Sequence, residues 1–292
     1  MSTYGDTGRG ILVGVDGSPP SKVAVDWAAR EAAMRNVPLT LVHVVAPSLL
    51  IWSDASVPAG FLSWQQEQAD EIIRQATQVA RDAGVTAAAT GVLDGPIAPT
   101  MVDLSKDAQL VVVGCRGLGA VGRALLGSVS TALVHHAHCP VAIVRDEDAP
   151  APRPATAPVV VGVDGSPASE RAVAIAFDEA SWRGVNLVAV HAFGDVWMLD
   201  YPGSEFTAMR GEAAEVLAER LAGWQERYPD VEVHKVVVAD RPAHRLLELA
   251  ETAQLVVVGN RGRGGVGGML LGSVSTAVVH SVKVPVIVAR GS

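Results

Sequence analysis

Two glycine-rich stretches carry the residue types best suited to holding a phosphate chain. In each stretch, two glycines stand three positions apart, and a Gly-Ser pair follows after nine intervening residues. The glycines are Gly114, Gly117 and Gly127 in the first stretch and Gly259, Gly262 and Gly272 in the second. Glycine lets the backbone approach a ligand closely, so the amide groups of such a loop can surround an anion. The apolar run that opens at Ser128, and again at Ser273, predicts a helix whose N-terminus also favours an anion. The hydroxyl groups of Ser128 and Ser130 could add hydrogen-bond donors to the phosphates.

Each residue of this pattern also has an ordinary structural role. Serine after glycine is a common helix N-cap, and loop glycines often serve only a turn. The complete pattern occurs twice, each time directly after a Val-rich run, and this favours phosphate binding. No lysine precedes Ser128 or Ser273, so the loop is not a Walker A motif, and its spacing differs from the compact fingerprint of dinucleotide enzymes.

A carboxylate stands at a second pair of matching positions. Asp16 and Asp164 lie 148 positions apart, each after a Val-rich run and before a glycine, Gly17 or Gly165. At the end of a first strand, a carboxylate is well placed to accept hydrogen bonds from ribose hydroxyls. It is equally suited to cap the helix that follows. Both interpretations remain open from the residues alone.

Other polar residues attract attention, but they have ordinary structural explanations or differ between the copies. His43 and His191 close corresponding apolar runs, and we expect them to be hydrogen-bonded structural histidines. The segment 135–139 (HHAHC) has poor spacing for a tetrahedral metal site, so we predict no metal bound by the protein alone. Cys115, a candidate redox sensor or a plain loop residue, is replaced by Asn260 in the second copy, which excludes it from a shared function.

The chain is one unit written twice. The run GVDGS occurs again 148 positions later, whereas QLVVVG and LGSVSTA each occur again 145 positions later. Between the copies, the segment 146–157 (DEDAPAPRPATA) is rich in proline and charge, as expected of an exposed linker. We therefore place two domains at residues 8–146 and 157–290.

Within each copy, short apolar runs alternate with segments of helical period, which predicts βαβ units on a parallel sheet. Five strands are expected in the first copy, at 11–15, 39–45, 86–93, 110–114 and 141–144. Val25, Ala28, Ala29 and Ala32 form the apolar stripe of the first helix, and Val173, Ala176, Phe177 and Ala180 form the stripe of its counterpart. A long helix at 65–83 is predicted to cover the sheet from the solvent side.

Composition narrows the function classes. A net charge of -8 and a pI near 5.5 argue against nucleic acid as the main partner. The chain has no run of about 18 apolar residues, so the sequence predicts no membrane-spanning helix. The polar start of the chain shows no signal-peptide core, and two cysteines suit a reducing compartment. We therefore expect a cytoplasmic protein.

Together, the GVDGS start, the strand–helix alternation and the G-x2-G-x9-G-S loop resemble the ATP-binding branch of the universal stress protein family in its tandem-domain form. The resemblance spans nearly the whole chain. It implies an α/β fold of two flavodoxin-like, Rossmann-like domains, each with a five-stranded parallel sheet in the order 3-2-1-4-5. In the family the last strand mediates antiparallel pairing between domains, so the resemblance implies that the two copies pair within the chain. We also expect chains to associate further, as a homodimer.

The resemblance also implies ATP, with Mg²⁺ able to accompany it, in each domain. Asp16 and Asp164 would meet ribose or adenine, and Gly17 and Gly165 are predicted to lie at the nucleotide beside them. The backbone of Val44 and Ala192 would face adenine. The residues implied to line the phosphates are Gly114, Gly117, Gly127, Ser128, Val129 and Ser130, and Gly259, Gly262, Gly272, Ser273, Val274 and Ser275. Arg116 and Arg261, inside the glycine loops, would supply positive charge.

Two function classes follow from these residues. The first is a regulatory ATP-binding protein whose nucleotide-bound state is read by a protein partner during stress, with at most slow hydrolysis. The alternative is an ATPase or phosphotransferase, which needs a group to orient the nucleophile. No Glu, His or Gln lies inside either glycine loop, so the first class is favoured. Flavin-linked electron transfer is disfavoured by the long loop and the few aromatic residues.

Overall fold

The computed structural model describes residues 10–46, 60–117, 126–145, 154–193, 204–262 and 271–290. The parts of the glycine loops at 118–125 and 263–270 lie outside these residues. The chain divides into two compact units, one built mainly from the first sequence copy and the other mainly from the second.

The first domain alternates strands and helices as the sequence predicts. In chain order its elements are β1 (Ile11–Gly14), α1 (Pro19–Arg35), β2 (Leu39–Val45), α2 (Phe61–Asp82), β3 (Ala89–Asp94), α3 (Ile97–Leu104), β4 (Leu110–Gly114), α4 (Ser128–His136) and β5 (Val141–Val144). The strand order is β3-β2-β1-β4-β5. β1 pairs in parallel with both β2 and β4, so the order reverses at β1, which is where such sheets bind ligands.

The second domain repeats this plan. Its elements are β6 (Val159–Gly162), α5 (Pro167–Arg183), β7 (Leu187–Ala192), α6 (Ser204–Arg227), β8 (Val233–Val238), α7 (Pro242–Ala250), β9 (Leu255–Gly259), α8 (Ser273–Ser281) and β10 (Val286–Ala289). The strand order is β8-β7-β6-β9-β10, with β6 paired in parallel to β7 and β9. Both sheets therefore have the predicted order 3-2-1-4-5.

The central strands are buried because helices cover both faces of a parallel sheet. Ile11, Leu12 and Val13 of β1 are 0% exposed, as are Val111 and Val112 of β4. Such strands read as continuous apolar runs rather than alternating ones. The edge strand β3 is mostly exposed, which explains why its boundaries were the least well predicted: the expected strand at 86–93 begins at Ala89 and ends at Asp94.

The first helix of each domain begins and ends through the same local chemistry. Ser18 caps α1 by accepting a hydrogen bond from the Ser21 amide, and Ser166 caps α5 in the same way. Prolines follow at the first helical positions, where no amide partner is needed. α1 ends at Asn36 and α5 at Gly184, both in the left-handed conformation that stops a helix. The predicted apolar stripes of both helices are at most 2% exposed.

Within the described residues, no helix is both long and apolar enough to cross a membrane.

Candidate functional site

The ends of β1, β2 and β4 surround a cavity of about 760 Å³ in the first domain. The turn after β1, the loop after β4 and the N-terminus of α4 form part of its wall, and α2 and α3 form the rest. A cavity of this size lies in the range that holds small-molecule ligands and cofactors. The sheet therefore places the predicted loops at one site.

Nine of the ten site residues predicted for this domain line the cavity. They are Asp16, Val44, Gly114, Arg116, Gly117, Gly127, Ser128, Val129 and Ser130. Gly17 is the exception among them. Its φ of 80° lies in the left-handed region that glycine tolerates best, so it serves the turn from β1 into α1.

Asp16 is held in place at the mouth of this turn and does not cap α1. Its Oδ1 accepts hydrogen bonds from the Ser18 amide at 3.0 Å and the Ser18 hydroxyl at 2.6 Å. Ser18 itself is the N-cap, so the capping role considered for Asp16 is wrong. The half-buried carboxylate lies on the cavity wall instead.

The glycines of the first loop are explained by close approach rather than by positive φ. None of Gly114, Gly117 and Gly127 is among the described glycines with positive φ. A Cβ on Gly114 would lie 2.8 Å from the carbonyl carbon of Pro20, and a Cβ on Gly117 would overlap Oδ2 of Asp16. The β4 loop therefore packs against the backbone of α1 at Gly114 and against the Asp16 side chain at Gly117, and neither position has room for a methyl group unless its neighbour moves.

The N-terminus of α4 presents amide groups to the cavity. Its N-cap is Gly127, whose amide donates to the Cys115 carbonyl at 2.8 Å. Among the described residues no side chain caps this helix, in contrast to α1. Ser128, Val129 and Ser130 form the first turn and line the cavity. An uncapped helix N-terminus in a cavity wall favours an anion.

Ser130 is placed differently from the expectation that its hydroxyl would donate to phosphate. The side chain is 3% exposed, and its hydroxyl lies 3.2 Å from the Gly114 carbonyl and 3.0 Å from the Cys115 carbonyl. Its single proton is thus directed to the backbone of the β4 loop. Ser130 ties this loop to α4 and leaves its own amide for a ligand.

α2 contributes a wall that the sequence reasoning missed. The helix begins at Phe61 rather than at residue 65. Trp64, Gln68 and Ile72, spaced four residues apart, line the cavity. The i, i+4, i+8 spacing was a usable signal, because these side chains lie on one face of a helix. α2 is therefore more than the predicted solvent cover.

The two histidines are structural, as expected. His43 Nδ1 lies 2.7 Å from the Val15 carbonyl and His191 Nδ1 lies 2.7 Å from the Val163 carbonyl. Each thus links the end of the second strand of its domain to the turn after the first strand. His191 is 7% exposed, whereas His43 is half-buried and also lines the cavity.

The second domain repeats the geometry of the loop. A Cβ on Gly262 would overlap Oδ2 of Asp164, and one on Gly259 would lie 2.8 Å from the backbone of Ala168. The N-cap of α8 is Gly272, which no described side chain supplements. Ser275 donates its hydroxyl to the Gly259 carbonyl at 2.5 Å. The predicted residues Asp164, Gly259, Gly262, Gly272 and Ser275 are thus brought together.

The remaining predicted residues of the second domain lie on the same elements. Arg261 precedes Gly262, and its carbonyl accepts a hydrogen bond from the Ser166 hydroxyl at 3.2 Å. Ser273 and Val274 open α8, and Ala192 ends β7. Gly165 has a φ of 75° and serves the turn after β6, as Gly17 does after β1.

The Cys115 side chain and the histidine segment do not line the cavity, although the Cys115 carbonyl accepts hydrogen bonds within the β4 loop. Cys115 is 0% exposed, which leaves its thiol inaccessible to the oxidants that a redox sensor must meet. In the portion of the chain that the structure describes, no group of three or more His, Cys, Asp or Glu side chains could hold a metal ion.

The fold defines a protein of two flavodoxin-like α/β domains. Comparisons with known proteins identify the family. The model of the universal stress protein family matches residues 9–145 and 156–290. A universal stress protein of Mycobacterium tuberculosis strain H37Rv is 53% identical over 292 residues, covering 99% of this chain and 98% of the relative. A second one from the same strain is 54% identical over 310 residues, covering 97% and 96%.

A solved structure agrees with the fold. The crystal structure of a universal stress protein from Archaeoglobus fulgidus superposes with a TM-score of 0.70 at 22% identity, covering 98% of this chain and 99% of that one. The chain belongs to the universal stress protein family and has its tandem-domain form.

Proposed function

We propose that this chain is a regulatory ATP-binding protein with one nucleotide site in each domain. The proposal rests on one observation. In each domain a glycine loop contacts a carboxylate at the end of the first strand, where the strand order reverses. In the first domain, Asp16, Gly117 and the uncapped start of α4 meet at one cavity. Asp164 and Gly262 repeat the closest of these contacts in the second domain.

The proposed site divides into an anionic part and an apolar part. The phosphates would lie against the amides of residues 128–130, with the guanidinium of Arg116 as counter-charge. Asp16 would accept hydrogen bonds from the ribose, and the backbone of Val44 would meet adenine. In the second domain the equivalent positions are Arg261, Asp164, Ala192 and residues 273–275. Mg²⁺ would enter with the nucleotide, bound mainly by its phosphates.

A regulatory role fits these residues better than rapid catalysis. The side chains of the described cavity wall include one carboxylate, Asp16, and one guanidinium, Arg116. Both are suited to holding a nucleotide. Efficient phosphoryl transfer would also need a group beside the phosphates that orients the nucleophile. Neither glycine loop contains a Glu, His or Gln, and the His43, Gln65 and Gln68 side chains of the wall come from β2 and α2 rather than from these loops. We propose that ATP occupancy is instead read by a protein partner in the stress response.

The same proposal places the protein in the cytoplasm as a homodimer. ATP is abundant there, and two buried free cysteines suit a reducing compartment. Light scattering at several protein concentrations should give twice the chain mass of 30.3 kDa. A mass of one chain at every concentration would exclude the homodimer without affecting ATP binding.

The central experiment is recovery of nucleotide from the purified protein. Chromatography of the perchloric-acid supernatant should show adenine nucleotide, and calorimetry on stripped protein should show ATP binding at two sites. Protein that carries no nucleotide and gives no heat of ATP binding would contradict the proposal.

A further inference from the structure

Trp64 stands out among the residues of the cavity wall. It lies in the first turn of α2, and its side chain is 55% exposed while lining the cavity. Its ring centroid lies 5.9 Å from that of Phe61 on the same turn. An indole left this open to water at a cavity wall gains apolar burial when a flat ligand covers it.

The other apolar side chains of the cavity wall include residues from three separate elements. Val45 ends β2, Ile97 begins α3 with 39% exposure, and Ile72 lies two turns after Trp64 on α2. The anion-binding groups, by contrast, come from the β4 loop and the start of α4. A ligand that contacts both the apolar and the anion-binding groups therefore needs a flat apolar part and an anionic chain, as a nucleotide has.

We propose that Trp64 stacks on the base of the nucleotide in the first domain and makes that site selective for ligands with an aromatic base. This rests on the proposed ATP-binding function and adds a residue from α2 to it. Stacking of a nucleobase on an aromatic side chain depends on the π face and needs no hydrogen bond to the base. Trp64 thus supplies affinity for the base, while the amides of α4 supply affinity for the phosphates.

The second domain lacks this residue. The repeat offset changes from 148 to 145 positions between the two halves of each copy, so the counterpart of Trp64 falls within 209–212 (MRGE), which has no aromatic residue. The part of the second domain that would hold the nucleobase differs in another way. Phe193 stands at the position of Val45, with its ring centroid 6.0 Å from that of Phe206 on α6. Loss of Trp64 should therefore affect one site only.

The test compares ATP with inorganic tripolyphosphate, which has the anionic chain but no base. Binding of both to the full chain is measured by calorimetry for the parent protein, Trp64→Ala, Trp64→Phe and Leu62→Ala. Leu62 is the matched control, because it lies two residues away on α2 with 69% exposure and does not line the cavity. Trp64 is itself exposed, so its replacement leaves the core of the domain intact.

Trp64→Ala should weaken ATP at one of the two sites about tenfold, within the range for loss of one base stack, and leave tripolyphosphate affinity unchanged. Trp64→Phe should retain most of the ATP affinity but lose part of the ATP-induced fluorescence change of the six tryptophans. Leu62→Ala should behave as the parent.

Unchanged ATP affinity in Trp64→Ala would overturn the stacking role, and so would an equal loss of ATP and tripolyphosphate binding. A parent protein that binds no ATP would instead overturn the proposed function on which the stacking depends.

Discussion

Gly117 lies directly against the carboxylate of Asp16, so that a methyl group on Gly117 would overlap Oδ2 of Asp16. The same relationship joins Gly262 to Asp164 in the second domain. This contact joins the glycine loop to the turn after the first strand in each domain.

The first prediction concerns Gly117→Ala and Gly262→Ala. Each methyl group should displace the facing carboxylate and lower ATP affinity at its own site. The backbone φ of these glycines does not require glycine. The effect of each substitution therefore depends on the room for the new methyl group beside the aspartate. Calorimetry should show one weakened site in each single variant and two in the double variant.

A double-mutant cycle separates this steric cause from a general defect. Asp16→Ala removes the atoms that the new methyl group meets, so the cost of Gly117→Ala in thermal unfolding should shrink when Asp16→Ala is present. Additive effects of the two substitutions on stability would contradict the contact. Parent-like ATP binding by the double glycine variant would show that these loops do not hold the phosphates.

The second prediction is that Gly114→Ala destabilises the fold by about 1–3 kcal/mol, the usual cost of forcing an extra methyl group into a packed site. The new Cβ would lie 2.8 Å from the backbone carbonyl carbon of Pro20, which cannot move aside as a flexible side chain can. Thermal or urea unfolding measures the change.

Gly223→Ala is the matched control for that substitution. Gly223 is exposed inside α6, and a Cβ there meets nothing within 4 Å. Replacing a helical glycine by alanine should raise stability by about 0.5–1 kcal/mol. Equal stability changes in the two variants would mean that crowding at Pro20 is not what fixes Gly114.

The third prediction is that ATP hydrolysis is slow, well below the roughly 1–100 s⁻¹ of dedicated kinases. Neither glycine loop contains a Glu, His or Gln to orient water, and neither has a P-loop lysine. Asp16→Ala and Asp164→Ala should weaken ATP binding and residual hydrolysis together. A steady-state rate above about 1 s⁻¹ with Mg²⁺ that either substitution abolished at unchanged ATP affinity would favour an enzyme.

The fourth prediction concerns alkaline pH. Burial and the hydrogen bond to Asp178 raise the pKa of Tyr228 to about 12. The Tyr228 hydroxyl donates to Asp178 Oδ1 at 2.6 Å, and Asp178 is 3% exposed. Because the folded-state pKa lies above the unfolded value, this contribution to stability is present below about pH 10 and is lost as the pH rises toward 12.

Tyr228→Phe tests this linkage. The variant should be less stable than the parent at neutral pH, since it removes the hydrogen bond that Tyr228 donates to a buried carboxylate. Its stability should then decline less steeply between pH 10 and 12. Parallel pH profiles of unfolding for the two proteins would show that Tyr228 does not contribute in this way.

Much of the architecture follows from the sequence by itself. Continuous apolar runs such as Leu110–Gly114 predict strands buried on both faces, and the repeat fixes two domains of one fold. Asp16 and the glycines of the β4 loop could be assigned to one site because parallel strands end at the same edge of a sheet. Local periodicity and spacing carry this information directly.

Only the tertiary structure decided what each residue contacts. The sequence favoured glycine for wrapping phosphate, but the crowding of Gly114 and Gly117 arises from α1 and Asp16, which are distant in the chain. Ser130 looked like a phosphate donor until packing directed its hydroxyl to the β4 loop. Trp64 appeared to lie beside a cover helix, and only the way α2 packs over the strand ends places it on the cavity wall. Such contacts depend on how elements pack, which short-range patterns do not encode.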